Sequence, residues 1–209
     1  MQLTAHDALL VIDVQNDFCT GGALAVPGGE EVVAPILRLA QGFAHVILTQ
    51  DWHPRDHASF AASHAGKQPY DSIELAYGAQ TLWPTHCVQG SHGAEFHPAL
   101  DLPRAELILR KGFRPQIDSY SAFFENDRAT PTGLAGYLRE RNLERVFLTG
   151  LAYDFCVGYS ALDARRLGFE AIVIRDACRA IDLQGSVAAI ESEFAKSGVA
   201  VVESAEFFA

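Results

Sequence analysis

The sequence predicts an α/β fold: a single domain of three layers, in which a mostly parallel six-stranded sheet is doubly wound with helices on both faces. Two observations predict it. Short apolar runs rich in β-branched residues alternate with stretches of helical character, which is the pattern of β-α-β units. The runs are almost continuously apolar, as in strands that are covered on both faces. The length of 209 residues fits one domain, spanning 1–209.

Six segments carry the strand pattern, at residues 8–13, 45–50, 106–110, 145–149, 171–175 and 199–202. Four helices are predicted between or after them, at residues 30–41, 131–141, 155–167 and 186–196. Thr130 before Pro131 is interpreted as a cap and first-turn proline, and Asp154 as a further N-cap. Gly168 and Gly198 are interpreted as C-terminal stops.

The segment from about 52 to 103 does not follow this pattern. It is rich in histidine, proline, glycine and aromatic residues and has little apolar periodicity. A connection of this length inside a compact domain is typical of a functional element. We therefore expect an insertion that forms the wall of a pocket.

The charge of the chain restricts its partners. A net charge of -10 and a pI near 5.2 argue against a surface for nucleic acid or anionic membrane, because binding phosphates requires clustered Lys and Arg. No apolar run approaches the roughly 18 to 20 residues of a membrane span. The run at 8–14 is too short for a signal peptide and has no basic residues before it. We expect a cytoplasmic protein with a small-molecule partner, either a monomer or a homo-oligomer.

One of the four cysteines stands out. Cys19, Cys87, Cys156 and Cys178 are scattered without a C-x-x-C pair, which predicts reduced thiols that are mostly packing residues. Cys156, however, follows the predicted cap by two positions, in the first turn of a helix. The unpaired amides and the dipole of that turn favour a thiolate, so Cys156 is a candidate nucleophile.

Polar residues end the predicted strands at the edge where α/β sheets bind ligands. Asp13 ends the first strand, and Lys111 ends the third. An ammonium near Cys156 would lower the pKa of its thiol further. Asp13 would then carry the proton, taking it from the thiol and giving it to a leaving amine.

A second group of polar residues follows the second strand. Asp51 and His53 form a D-x-H pair, and His86 lies in a distant loop. A carboxylate and two imidazoles with open positions suit Zn²⁺ or Fe²⁺, with Mn²⁺ a further candidate. The sequence therefore predicts one divalent metal ion held by these three residues.

These motifs resemble those of nicotinamidases in the isochorismatase-like cysteine hydrolase superfamily, and the resemblance covers nearly the whole chain. It is carried by residues 11–18 (VIDVQNDF), 22–29, 49–60 (TQDWHPRDHASF), 82–88 (LWPTHCV), 96–98 (FHP), 111–112, 117–123 (IDSYSAF) and 150–157 (GLAYDFCV). The pair DxH and WPxHCV, together with DSYSAF, is specific to the nicotinamidase branch. The remaining motifs belong to the wider superfamily.

The resemblance implies an amidohydrolase that converts nicotinamide, and also pyrazinamide, through a thioester on the cysteine. Asp13, Lys111 and Cys156 correspond to the catalytic triad, and Asp51, His53 and His86 to the metal ligands. A cis peptide bond before Ala152 is implied, with the amides of Ala152 and Cys156 as the oxyanion hole. The implied substrate pocket comprises Phe18, Trp83, Tyr120, Leu151 and Ala152.

Several alternatives stay open at this point. The chain departs from the common pattern at Tyr153, which could reshape the rim of the pocket, and His57 joins the metal shell in some relatives but not in others. A related hydrolase acting on another small amide or carbamoyl substrate lacks the metal-ligand pair in most branches. A non-catalytic metal-binding α/β module has no positive signature, since phosphate-binding glycine motifs and a G-x-S-x-G elbow are absent from the sequence.

Overall fold

The computed structural model describes residues 1–207, and its strands and helices alternate as the sequence predicts. The strands are β1 (Asp7–Ile12), β2 (His45–Asp51), β3 (Ser72–Leu75), β4 (Gly78–Thr81), β5 (Leu107–Lys111), β6 (Arg145–Leu151), β7 (Glu170–Arg179) and β8 (Ala200–Val202). The α-helices are α1 (Val33–Ala40), α2 (Leu134–Glu140), α3 (Gly158–Arg166) and α4 (Ser186–Ser197).

The main sheet has six strands in the order β5-β2-β1-β6-β7-β8, and every pairing in it is parallel. All six predicted strands are therefore confirmed. The largest difference between predicted and observed bounds is in β7, which continues to Arg179, past its predicted end. The register between β7 and β6 shifts after Leu148 of β6. From β1 the chain continues to β2 on one side, whereas β6 pairs with β1 on the other side. The strand order therefore reverses between β1 and β6, and ligands bind such sheets at the carboxyl ends of the two strands that flank this point.

Two apolar layers cover the sheet, one on each face. Leu9 and Val11 of β1 point into the layer that contains α1. Leu10 and Ile12 point into the opposite layer, which contains buried residues of α2, α3 and α4. The predicted three-layer architecture with helices on both faces is confirmed, and the strands are apolar on both faces because both are covered.

Two predicted helix starts are wrong. The segment of Thr130 and Pro131 forms an antiparallel bridge with Phe124 instead of starting a helix, and α2 begins after Gly133, whose φ of 103° suits glycine. Asp154 lies inside a short π-helical turn (Tyr153–Val157) that precedes α3, so it is not a cap. The predicted stops are confirmed, because Gly168 and Gly198 both follow helices with positive φ.

The buried carboxylate of Asp154 instead holds the loop after β7. It accepts hydrogen bonds from the backbone amides of Ile181 at 3.0 Å and Asp182 at 2.8 Å, and from the hydroxyl of Ser186 at 2.5 Å. Ile181 also lines the cavity described below. Asp154 thus joins the turn that carries Cys156 to the segment that leads into α4.

We expect Asp154→Ala to lower the free energy of unfolding by about 1 to 3 kcal/mol, because two partly buried amides and a hydroxyl lose a charged acceptor. Urea denaturation followed by circular dichroism measures this change. Asp101→Ala is the matched control, since Asp101 is exposed and its removal should change stability by less than about 0.5 kcal/mol. Equal unfolding midpoints for the two variants would contradict the assigned role.

The segment between β2 and β5 is not structureless. It contains the antiparallel hairpin of β3 and β4 and two short 3-10 turns, Ala61–Ser63 and His92–Ala94. No helix among residues 1–207 is long and apolar enough to cross a membrane. The four cysteines are buried free thiols, as predicted.

Candidate active site

Four strand ends bring their polar residues together. Asp13 follows β1, Asp51 and Lys111 end β2 and β5 as directly paired residues, and Cys156 follows β6. Asp13 and Lys111 are completely buried, and Asp51 and Cys156 are almost so. The structure thus groups these predicted residues at one edge of the sheet, as the strand-end argument expects.

The ammonium of Lys111 is the centre of this group. Its Nζ lies 2.8 Å from Asp13 Oδ2 and 2.8 Å from Asp51 Oδ1. It donates to the carbonyl oxygen of Ser119 at 2.8 Å and to Cys156 Sγ at 3.4 Å. Burial alone would lower the pKa of Lys111, but the two carboxylates raise it well above its usual value. Lys111 therefore stays positively charged in the interior.

Asp13 is held on both of its carboxylate oxygens. Oδ1 accepts a hydrogen bond from the hydroxyl of Thr49 at 2.6 Å, while Oδ2 faces Lys111. Burial raises the pKa of Asp13, and the Lys111 ammonium opposes the rise. A carboxyl group with a raised pKa beside a thiol is suited to accepting and returning a proton.

The expected lowering of the thiol pKa of Cys156 is wrong. Burial raises the pKa well above its usual value, and Asp13 and Asp51 add to the rise, while Lys111 opposes it. The thiol is enclosed by protein, and its neighbouring ammonium is shared with two carboxylates. Burial therefore raises the pKa of the thiol by more than the ammonium and the helical turn lower it. In this state the sulfur carries its proton until a base removes it.

The three predicted metal ligands also converge. Asp51 Oδ2 lies 3.1 Å from His53 Nε2 and 3.5 Å from His86 Nε2. Nδ1 of His53 is 2.9 Å from the carbonyl of Gly112, and Nδ1 of His86 is 2.7 Å from that of Pro84. Because carbonyl oxygens only accept, each Nδ1 carries a proton, which leaves each Nε2, on the side of Asp51, as the nitrogen available to a metal ion.

A buried carboxylate that faces two imidazole nitrogens favours positive charge between them, as a proton or as a metal ion. Burial alone would lower the pKa of His53, yet Asp51 raises it overall, so the position favours positive charge. Two imidazoles and one carboxylate form a donor set suited to Zn²⁺ or Fe²⁺. The residues present therefore fit a divalent metal ion.

Asp51 belongs to both groups. Its Oδ1 contacts Lys111, whereas its Oδ2 faces His53 and His86. The ammonium and the metal-ligand group are thus separated by the width of a single carboxylate. The two sites share one charged residue.

His57 is close to these ligands but is otherwise engaged. Its ring centroid lies 4.4 Å from that of His53, and its Nδ1 accepts from the amide of Ser59 at 3.2 Å. The proton is then on Nε2, which donates to the carbonyl of Ile117 at 3.2 Å. His57, His53 and Asp118 form a second close set of donor atoms, but neither nitrogen of His57 is free to ligate.

A small cavity joins the nucleophile to the metal-ligand group. Phe18, Trp83, Tyr120 and Ala152 line it, as the resemblance implies. The remaining lining residues are Leu24, Asp51, His86, Asp118, Phe155, Cys156 and Ile181. A more open groove of about 460 Å³ lies beyond Tyr120 and Phe155, but neither Cys156 nor the metal-ligand group lines it.

Two expectations about this cavity are not met. Leu151 is not among the lining residues in the described part of the chain; its side chain is completely buried in the core on the α1 side of the sheet. Tyr153 does not reach the rim, because it is fully buried against Phe194 of α4 and its hydroxyl donates to Glu191 at 3.2 Å. The peptide bond between Leu151 and Ala152 is cis, as implied.

Sequence reasoning missed several residues that build the site. Thr49 opens the motif at 49–60 and Leu24 lies in the motif at 22–29, but neither was assigned a role, and Ile181 comes from a loop outside the motifs. Asp118 lies within the DSYSAF motif, which could have drawn attention to it. Gln80 lies in the hairpin and contacts Asp118 and Tyr120 through its amide.

Comparisons with known proteins identify the family and agree with the fold. The model of the isochorismatase domain matches residues 7–206. The nicotinamidase of Acinetobacter baylyi is 55% identical over 204 residues, which cover 98% of this chain and 95% of that protein.

Two solved structures are similar over nearly their full length. The Acinetobacter baumanii nicotinamidase/pyrazinamidase superposes with a TM-score of 0.97 at 52% identity, covering 99% of this chain and 100% of that one. The Pyrococcus horikoshii pyrazinamidase in complex with zinc has a TM-score of 0.76 at 34% identity, covering 95% and 99%. The fold is thus shared with a nicotinamidase/pyrazinamidase and with a pyrazinamidase that was solved in complex with zinc.

Proposed function

The chain belongs to the isochorismatase domain family, and from this premise we propose that it is a nicotinamidase, whose residues hydrolyse nicotinamide to nicotinate and ammonia. One observation carries the proposal: a cysteine, an ammonium and a carboxylate meet on one side of a cavity whose other side holds a metal-ligand group. The cysteine suits an amide carbonyl, and the ligand group suits a heteroaromatic nitrogen. The same chemistry serves pyrazinamide.

Cys156 is the proposed nucleophile. Its proton passes to Asp13 as the sulfur attacks the carboxamide carbon, which forms a carbon–sulfur bond. The backbone amides of Ala152 and Cys156 are the proposed donors to the oxygen that becomes negatively charged. Asp13 then returns the proton to the nitrogen, the carbon–nitrogen bond breaks, and ammonia leaves a thioester on Cys156.

Hydrolysis of the thioester uses the same groups. Asp13 takes a proton from water, the hydroxide adds to the carbonyl carbon, and the carbon–sulfur bond breaks to release nicotinic acid, which loses its proton to solvent as nicotinate. The proton then returns to the sulfur of Cys156. Lys111 keeps its positive charge throughout, so it stabilises negative charge on Asp13 and on the sulfur by turns.

The proposed metal ligands are Asp51, His53 and His86, which hold one divalent ion, Zn²⁺ or Fe²⁺. When bound, the ion supplies a Lewis acid that attracts the ring nitrogen and polarises the ring. The chain's own contribution is to fix both imidazoles through their Nδ1 protons, so that neither ring turns away.

The aromatic walls orient the substrate in this proposal. Phe18 and Trp83 face the cavity, and the Trp83 indole is fixed because its Nε1 donates to the hydroxyl of Tyr120 at 3.0 Å. Trp83 and His86 both come from the segment at about 52–103, which we propose forms the pocket wall. A cytoplasmic location is part of the proposal, which the four free thiols favour.

Ammonia release from nicotinamide by metal-loaded and chelated enzyme tests the function. We expect hydrolysis of nicotinamide and pyrazinamide, and a loss of at least about a hundredfold after chelation, because the polarising cation is removed. Metal content is measured on the same samples, and readdition of Zn²⁺ or Fe²⁺ should restore the rate. A small carbamoyl compound is the control substrate, and a rate on it equal to that on nicotinamide would contradict the proposal.

A further inference from the structure

One polar side chain of the hairpin is buried against the site without belonging to the nucleophile or the metal ligands. Gln80, on β4, is 1% exposed, whereas the other residues of β3 and β4 are exposed or half-buried. Its side chain leaves the hairpin and points between two segments that reach the cavity. The hairpin therefore contacts the site through one amide.

The orientation of this amide is determined by its neighbours. Asp118 Oδ2 only accepts hydrogen bonds, so the atom 2.8 Å from it is the donor Nε2 of Gln80. On the other side, Asn126 uses its Oδ1 to accept from the amide of Tyr120, so its Nδ2 donates to Gln80 Oε1 at 3.2 Å. The hydroxyl of Tyr77 donates to the same oxygen at 3.0 Å. A flipped amide would break these contacts.

Gln80 Nε2 has three acceptors within reach, and the shortest contact, 2.6 Å to the carbonyl oxygen of Thr81, stays within the hairpin. The other two acceptors belong to Asp118 and Tyr120, which line the cavity. Nε2 lies 3.1 Å from the hydroxyl oxygen of Tyr120, which also accepts from Trp83 Nε1. Asp118 faces the cavity together with Asp51 and His86. One donor nitrogen thus fixes a carboxylate on the metal-ligand side and a phenol that in turn holds an aromatic wall.

We propose that Gln80 is a positioning residue for the substrate: its amide holds Asp118 and Tyr120, and through Tyr120 also Trp83, in the places that shape the cavity. The inference rests on the proposed function, since it assigns Gln80 to the same reaction. Gln80 does not contact Cys156, Lys111 or Asp13 in the described residues, so it acts on binding of the ring and not on bond breaking.

The first test is Gln80→Met, which keeps the length of the side chain and removes its hydrogen bonds. We expect the KM for nicotinamide to rise about tenfold while kcat changes by less than about threefold, as for lost ground-state binding. If the substitution only unfolded part of the protein, the apparent kcat would fall but the KM would not change, because the molecules that remain folded bind the substrate as before. Gln68→Met, at an exposed position before the same hairpin, is the matched control and should match the wild type.

The second test exchanges donor and acceptor. Gln80→Glu places a carboxylate against Asp118. Asp118→Asn keeps one oxygen for the amide of Ser119 and turns an NH2 group toward the NH2 group of Gln80, so each single variant should raise the KM by about tenfold. In the double variant the new amide at position 118 can donate to the new carboxylate at position 80. Its KM should therefore be at least about fivefold below the product of the two single effects.

The outcomes separate the two proposals. A wild-type enzyme that releases no ammonia from nicotinamide counts against the proposed function. With an active wild type, an unchanged KM in Gln80→Met, or a double variant whose effect equals the product of the single effects, overturns the role of Gln80.

Discussion

Cys156→Ala should lower ammonia release from nicotinamide by at least about ten-thousandfold, because removal of a nucleophile leaves only binding and electrostatic stabilisation to speed the reaction. The side chain loses only its sulfur atom, and the surrounding residues remain buried. Steady-state assays at saturating nicotinamide measure the loss. Metal content should equal that of the wild type, since Asp51, His53 and His86 are unaltered.

The control for this experiment is Cys178→Ala. Cys178 is a buried free thiol in β7, 4.0 Å from the carbonyl of Leu148, and it is remote from the cavity. We expect activity within about threefold of the wild type. If Cys156→Ala kept a rate close to that of Cys178→Ala, the thioester mechanism would be wrong.

Lys111→Met should affect both stability and activity. The substitution keeps much of the side-chain volume but leaves Asp13 and Asp51 facing each other without the ammonium that neutralises them. Removal of one charged partner from a buried ion pair lowers the free energy of unfolding by about 3 to 5 kcal/mol. Activity should fall by at least about a thousandfold, because the same ammonium stabilises charge on Asp13 and Cys156. Urea denaturation and steady-state assays measure the two effects.

Lys196→Met provides the comparison at the surface. Lys196 pairs with Glu193 at 2.7 Å on α4, but both side chains are at least half exposed. Its removal should change stability by less than about 1 kcal/mol. Equal unfolding midpoints for the variants at positions 111 and 196 would show that the buried ammonium does not hold the two carboxylates.

The parts of the fold that depend on local pattern were predictable. Continuous apolar runs identified all six parallel strands, because strands covered on both faces carry no polar face. The strand ends then located Asp13, Asp51 and Lys111 at one edge, since parallel strands bring their carboxyl ends together. These inferences need only the order of residues along the chain.

What depends on contacts between distant segments was not predictable. Asp154 has the sequence position of a cap, but its carboxylate binds a loop that lies 27 residues further along. The pKa of Cys156 depends on how completely other segments enclose it, which no local pattern reports. Gln80 resembles any other polar residue of a hairpin until Asp118 and Asn126 are seen beside it.

The shared carboxylate of Asp51 has a consequence for engineering this enzyme. A cation held by Asp51, His53 and His86 would draw electron density from the Asp51 carboxylate and thereby weaken its hold on Lys111. Exchange of one metal ion for another would thus reach the ammonium beside the nucleophile. The metal-ligand group and the cysteine are joined through Asp51 and Lys111, so a redesign of either has to treat them together.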